Sequence, residues 1–257
     1  MPRVALQLYS VRDFCSRDFR RALEEVASIG YEGVEFAGFY NWRAEDLRDL
    51  LKSLGLKVAG AHIGISELQG EKLKSTIMYN KTIGNNNIVV PGLPEEMRKT
   101  KEAWLNTARL FNSLSETLRK EGLRLGYHNH RIEFETKFDG ETAWKLFFKN
   151  TLEDIMIQLD IGHAIAAGNT SRDIINLINE FPGRVKSAHI KDYSKVKGYD
   201  VFIGEGDVSW KEVLKALNDV GKIEWYIVEQ ETYKNLTSME AVKIDLDNLK
   251  RIIKELS

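Results

Sequence analysis

Two histidines and a carboxylate stand close together in Tyr127-His128-Asn129-His130-Arg131-Ile132-Glu133-Phe134, directly after the apolar run Leu123 to Gly126. Three later apolar runs finish in the same way. Ile155 to Leu159 leads to Asp160 and then His163, Val185 to Ala188 leads to His189, and Trp225 to Val228 leads to Glu229. A carboxylate at the end of a buried strand is expensive unless a cation or several hydrogen bonds compensate it, and Asp160 is in that position. Imidazoles and carboxylates converging from several strands are the donors of a divalent metal. The mixed oxygen and nitrogen set suits Mn²⁺, Co²⁺, Mg²⁺ or Zn²⁺ and not the thiolate-rich sites of structural zinc. His128, Asp160, His189 and Glu229 are the candidate ligands.

Strand parity decides which of these side chains share a face. Leu123, Leu125 and Tyr127 fall on one face of their strand and suit packing on helices, whereas Arg124, Gly126 and His128 fall on the other, aiming His128 inward. The rest of the chain repeats one sentence, a short apolar strand followed by an amphipathic helix. Val4 to Tyr9, Gly33 to Phe36, Leu56 to His62, Asn87 to Val90, Leu123 to Asn129, Ile155 to Asp160, Val185 to His189 and Glu224 to Glu229 read as strands. Helices are predicted over Ala44 to Leu54, Glu67 to Ile83, Glu95 to Lys120, Glu141 to Lys149, Ser171 to Glu180, Trp210 to Val220 and Ser238 to Leu256, with a further one after a Ser16 cap. Eight such units, most with a glycine between helix and next strand and with no Pro- or Ser-rich linker, predict an α/β fold: a single (β/α)8 TIM barrel over residues 1–257. A doubly wound open sheet is the alternative; the phosphate-binding glycine loop expected after its first strand is missing, and Gly204-Glu205-Gly206 lacks that spacing.

In a barrel of this kind, strand ends and the loops after them form one mouth. All five histidines fall there. Gln7 and Glu35 end the first two strands and could contact a polyol, although Glu35 could equally cap a helix or pair with a lysine. His62 is either a substrate contact or a hydrogen-bonded structural residue. Lys191 and Asp192 follow His189 and could be functional or a solvated pair. Trp42, Phe39, Tyr40 and Phe202 could wall a sugar-sized pocket, and the loop Phe39 to Trp42 could instead be a homo-oligomer contact.

Composition restricts the partners. Of 257 residues, 43% are hydrophobic and 29% charged, and 37 Lys+Arg against 38 Asp+Glu leave a net charge of −1. No broad positive field exists to hold nucleic acid or an anionic membrane, so a small molecule is the expected partner. One cysteine, no signal-peptide pattern and no apolar run near the ~20 residues of a membrane span predict a cytoplasmic protein.

With Gln7-Leu8-Tyr9-Ser10-Val11-Arg12-Asp13, Tyr127-His128-Asn129-His130 and Glu133-Phe134, Leu159-Asp160-Ile161-Gly162-His163-Ala164, His189-Ile190-Lys191-Asp192, Gly204-Glu205-Gly206 and Val228-Glu229-Gln230-Glu231, the chain resembles the sugar phosphate isomerase/epimerase group of xylose isomerase-like barrels. The resemblance implies one divalent metal held by Glu, Asp, His and Glu from the fifth to eighth strands. Asp160, His189 and Glu229 match the last three; the first slot departs, with His128 inward and Glu133 the nearest carboxylate. It also implies His163 and Glu133 beside the substrate; His130, beyond the end of its strand, is expected to handle substrate as well. The catalytic candidates are therefore Glu133, Glu229, His163 and Lys191, and the substrate-binding candidates Gln7, Glu35, His62, His130 and Trp42. The expected activity is a metal-dependent isomerase or epimerase of a keto sugar or polyol, working by proton abstraction beside a polarised carbonyl. Next comes a dehydratase or lyase of a 3-keto sugar or inosose, which the non-glutamate first slot slightly favours. An abasic-site endonuclease and a sugar-binding protein without turnover are more distant.

Overall fold

The computed structural model describes residues 2–256. Eight parallel strands close on themselves in the spatial order β1-β8-β7-β6-β5-β4-β3-β2. They are β1 Arg3–Gln7, β2 Gly33–Phe36, β3 Lys57–His62, β4 Asn87–Val90, β5 Arg124–His128, β6 Met156–Asp160, β7 Val185–Ile190 and β8 Trp225–Val228. The predicted (β/α)8 barrel is thus the fold. Its helices are α1 Arg12–Arg17, α2 Phe19–Ile29, α3 Ala44–Leu54, α4 Lys72–Thr82, α5 Lys101–Lys120, α6 Ile132–Glu135, α7 Ala143–Lys149, α8 Ile161–Ala166, α9 Ser171–Glu180, α10 Trp210–Ala216 and α11 Ser238–Lys254. Among the described residues, no helix is long and apolar enough to cross a membrane.

Four helix starts differ from expectation, each because a nearer capping group or turn prevails; the helix expected from Glu141 begins at Ala143, where Thr142 accepts the Lys145 N–H. The second helix begins at Phe19, where the Asp18 side chain accepts the Arg21 N–H; Ser16 lies inside α1, its hydroxyl donating to the Asp13 carbonyl. The helix expected from Glu67 is split by Gly70 at φ +56°, and α4 starts at Lys72. The helix expected from Glu95 is a 3-10 turn at Glu95–Met97, after which Thr100 caps α5 through the Ala103 N–H.

Parity does the positioning. Tyr127 points out of the barrel and packs edge-on against Trp104 and Phe111 of α5, and against Phe147 of α7. Inside the barrel, Ala5, Ala59, Trp225 and Ile227 form a small apolar plug. Beyond it toward the strand ends lies a buried polar layer, with Gln7, Glu35, Gln158 and His189 all fully buried. Gly60 lets that layer close up: a Cβ there would lie 2.8 Å from Glu35 Oε1, beside the register irregularity between β2 and β3.

The long loop after β7 is pinned from below. Asp192 accepts from the backbone N–H groups of Tyr193, Gly204 and Gly206 and from Trp210 Nε1. That accounts for Gly204-Glu205-Gly206 as a structural loop, and for Asp192 as buried rather than solvated. Asp245 of α11 accepts the Ile203 N–H at 2.7 Å, and burial pushes its carboxyl from 3.8 up to about 7. A folded-state pKa above the unfolded one means that stability is lost as pH rises through that interval. Asp245→Asn keeps an oxygen acceptor without the charge. It is expected to be more stable than the parent at pH 8 by about 2 kcal/mol, roughly 5 °C in melting temperature, with the gain fading toward pH 4; a pH-independent difference would refute the assignment.

Candidate metal centre

Register and strand ends bring the four predicted ligands together. Asp160 and His189 are register partners on β6 and β7, Glu229 lies one residue beyond β8, and His128 ends β5. One donor atom from each of His128, Asp160, His189 and Glu229 falls within 4.8 Å of the others, and all four residues are buried. Asn129 sets the spacing of the two strand ends: its side chain donates to the Asp160 carbonyl and accepts the Asp160 N–H, at 3.1 and 3.0 Å. Asp160 also caps α8, its Oδ1 accepting the His163 N–H at 2.6 Å. Its Oδ2 is buried without a hydrogen-bond partner. Burial raises its carboxyl to about 6, with Glu229 adding to the rise and Lys191 opposing it.

The layer beneath fixes the imidazoles. Glu35, fully buried at the end of β2, can only accept, so the Gln158 amide must turn its NH₂ to Glu35 Oε1 (2.6 Å) and Ser187 Oγ (3.1 Å). Gln158 Oε1 then accepts from His62 Nε2 at 2.7 Å and His128 Nδ1 at 3.2 Å, which leaves His128 Nε2 with a free lone pair. Burial, reinforced by the neighbouring His189 and His62, holds the His128 pKa well below its ordinary value, so the ring is neutral. Glu35 Oε2 takes the proton on His189 Nε2 at 2.6 Å, which turns Nδ1 toward Glu229 Oε2 (3.1 Å) and Asp160 Oδ2 (3.8 Å). Burial opposes a charge on His189, yet Glu229 and Glu35 together raise it to about 10. Glu35 itself is held far below the carboxylate range by His62 and His189, against its own burial.

These groups fit a divalent ion by charge as well as by donor type. Asp160, Glu229 and Glu35 are three buried carboxylates, and Lys191 is the one fixed cation touching Glu229 (3.0 Å) and approaching Asp160 (3.9 Å). The other bases facing these carboxylates are the imidazoles of His189 and of His62, which lies 3.3 Å from Glu35. A dication would be held by Asp160 Oδ2, Glu229, the Nδ1 of His189 and the Nε2 of His128 and would offset the carboxylates there, with the Glu35 contact to His189 as the carboxylate support that metal-bound histidines carry.

Lys191 is also 3.3 Å from Glu231 and 3.4 Å from His163 Nε2. Carboxylates, Glu229 first, keep it charged despite its burial. Burial and that ammonium bring His163 down to about 3, and its Nδ1 lies 2.7 Å from the Tyr199 hydroxyl. His130 is exposed and sits over the cluster, its ring 4.9 Å from those of His128 and His163.

Four other candidates lie differently from expectation. Gln7 and Glu35 are fully buried and bonded to each other at 2.7 Å, so they brace the ligands and are not open to a polyol; the helix-capping and lysine-pairing alternatives for Glu35 are likewise replaced. Both oxygens of Glu133 are engaged, by the Tyr127 hydroxyl (2.7 Å) and the His130 N–H (2.8 Å), so it holds the turn after β5. Trp42 packs on Phe19 and under Arg20 and lines a groove with Asp46 and Asp49, away from the histidines. Sequence reasoning gave no role to Gln158, Tyr199 or Glu231. Gln158 could have been found, because the alternation that aims Asp160 inward aims residue 158 inward too.

Glu35→Gln removes the charge behind His189 while keeping the shape. Mn²⁺ affinity, measured by calorimetry on the folded variant, is expected to fall about 10- to 100-fold; an unchanged affinity would mean that Glu35 plays no part in ligand orientation.

The family model of the xylose isomerase-like TIM barrel matches residues 23–252. An inosose dehydratase of Erwinia tasmaniensis is 23% identical over 248 residues, covering 83% of this chain and 82% of its own length. A sugar phosphate isomerase/epimerase structure from Parabacteroides distasonis superposes with a TM-score of 0.80 at 23% identity, over 97% of this chain and 98% of that one. The IOLI protein, solved with a zinc atom, gives a TM-score of 0.75 at 16% identity over 99% of both chains. With the family model matched across most of its length, the chain belongs to the xylose isomerase-like TIM barrel family.

Proposed function

We propose that the barrel mouth is the active site of a divalent-metal-dependent enzyme that removes a proton next to the carbonyl of a keto sugar or inosose and expels the β-oxygen, a dehydratase or lyase. The observation that carries this reading is the orphaned Asp160 Oδ2 among His128, His189 and Glu229, with the Lys191 ammonium beside it. The inosose dehydratase relatives point the same way. When bound, a divalent cation would polarise the carbonyl and lower the cost of the enediolate.

The chain's own groups account for the protons. Glu231 is half-buried at the rim and outside the four-ligand set, and is assigned as the base that takes the α-proton. The C–H electron pair becomes the enediolate double bond, which then expels the β-oxygen; Lys191 gives that oxygen a proton and is recharged by Glu231, 3.3 Å away. His163, neutral and steadied by Tyr199, and His130 above it hold the substrate hydroxyls. The acid and base therefore lie together on the β6–β8 side. Across the site, the β5 position holds a neutral imidazole, His128, which gives epimerisation no matched second carboxylate.

Incubating the Mn²⁺-loaded protein with ketoses, inososes and 3-keto glycosides in D₂O, followed by NMR, tests the assignment. Loss of water or of an aglycone is expected; deuterium at the α-carbon with an unchanged formula would make the enzyme an isomerase or epimerase, and no exchange on any substrate would end the enediolate reading. Lys191→Met is expected to slow elimination by about 10²- to 10⁴-fold while α-exchange persists, and Glu231→Gln to slow the exchange itself.

A further inference from the structure

A cavity of about 360 Å³ opens beside the cluster between the ends of β2 and β3, lined by Phe39, His62, Ile63, Gly64 and Tyr79, with Thr76 toward its rim. His62 belongs to both spaces. Its Nε2 is tied to Gln158 and Glu35 under the metal ligands, while its ring forms a wall of the cavity. Phe39 and Tyr79 stack at 4.3 Å and are only partly buried, so apolar ring surface is left facing the space.

The cavity wall is built, not incidental. Gly38 (φ +98°), Tyr40 (φ +50°) and Asn41 (φ +60°) hold the loop after β2 in left-handed backbone, costly at the two non-glycine positions, and the Tyr79 hydroxyl ties that loop down by donating to the Trp42 carbonyl at 2.8 Å. The volume falls within the range of small-ligand pockets, and His62, common to the cavity wall and to the layer under the metal ligands, sets the cavity next to the place where the reacting sugar would sit.

We infer that this cavity is a subsite for an apolar, aryl-type substituent on the keto sugar, so that the physiological substrate is a substituted keto sugar and not a free one. The inference deepens the proposed function by naming the substrate class. A flat apolar group would cover the open faces of Phe39 and Tyr79 while the keto sugar lies over His62 toward Asp160 and Glu229.

Binding tests it without requiring turnover. The probes are 3-keto-glucose and its phenyl β-glycoside, titrated calorimetrically into the Mn²⁺-loaded protein. The phenyl glycoside is expected to bind about tenfold or more tightly than the free sugar. A side chain at Gly64 can enter the cavity at little steric cost, since its φ of −60° is ordinary and a Cβ meets nothing nearer than Ser66 Oγ at 3.9 Å. Gly64→Leu is therefore expected to bring the two dissociation constants together, and Phe39→Ala, which removes one wall, to do the same should the leucine variant fold poorly. Equal affinities in the parent, no binding of the glycoside, or an undiminished preference in both variants would overturn the subsite. Deuterium exchange run in parallel reports on the chemistry separately: a preference for the glycoside without exchange on either probe would sustain the subsite and defeat the enzymatic reading.

Discussion

Placing three carboxylates inside a closed barrel is the constraint on which the rest of the structure depends. Glu35 and Asp160 are wholly buried and Glu229 nearly so, in a space where Lys191, His189 and His62 are the basic side chains that face them among the described residues. Unpaired, each charge would cost several kcal/mol. The balance is met for two of the three, and the remainder falls on Asp160, whose second oxygen has no partner and whose carboxyl is raised to about 6. A site that leaves a buried carboxylate oxygen without a partner among its own side chains is shaped for an ion from outside.

The barrel supplies what a loop-built site could not. Each ligand leaves from the end of a paired strand, and the parallel ladder places Asp160 beside His189 directly. Below, Glu35 acts on two imidazoles, on His189 by contact and on His128 through Gln158. One acceptor-only carboxylate thus dictates the amide orientation of Gln158, which dictates the tautomer of His128. The apolar plug of Ala5, Ala59, Trp225 and Ile227 keeps this chain of hydrogen bonds away from water at the other end.

Much of this was legible in the sequence because periodicity survives without coordinates. Alternating apolar residues that end in His128, Asp160, His189 and Glu229 give both the barrel and the candidate ligand set. The functions of Glu133 and Glu35 were not legible, because a carboxylate near a strand end looks the same whether it faces substrate or braces a turn; the Tyr127 hydroxyl and the His130 N–H decide it for Glu133, His189 and Gln158 for Glu35. Helix starts were misplaced at Ser16, Glu67, Glu95 and Glu141, where one short side chain or one glycine outweighs the pattern. Tyr199 could not be found at all, since it reaches His163 from a long loop without periodicity.

Lys191 bears on how many ions the barrel could hold. His163, Glu229 and Glu231 form a second group with donor atoms close enough to share a cation. The Lys191 ammonium already lies 3.4, 3.0 and 3.3 Å from those three residues. A metal at that group would have to displace a buried charge that Glu229 and Asp160 hold firmly in place. Lys191 thus stands where a cation shared by His163, Glu229 and Glu231 would otherwise sit, and its ammonium can give up a proton, which a bare metal ion cannot. That difference suits a reaction in which an oxygen must leave as a neutral hydroxyl.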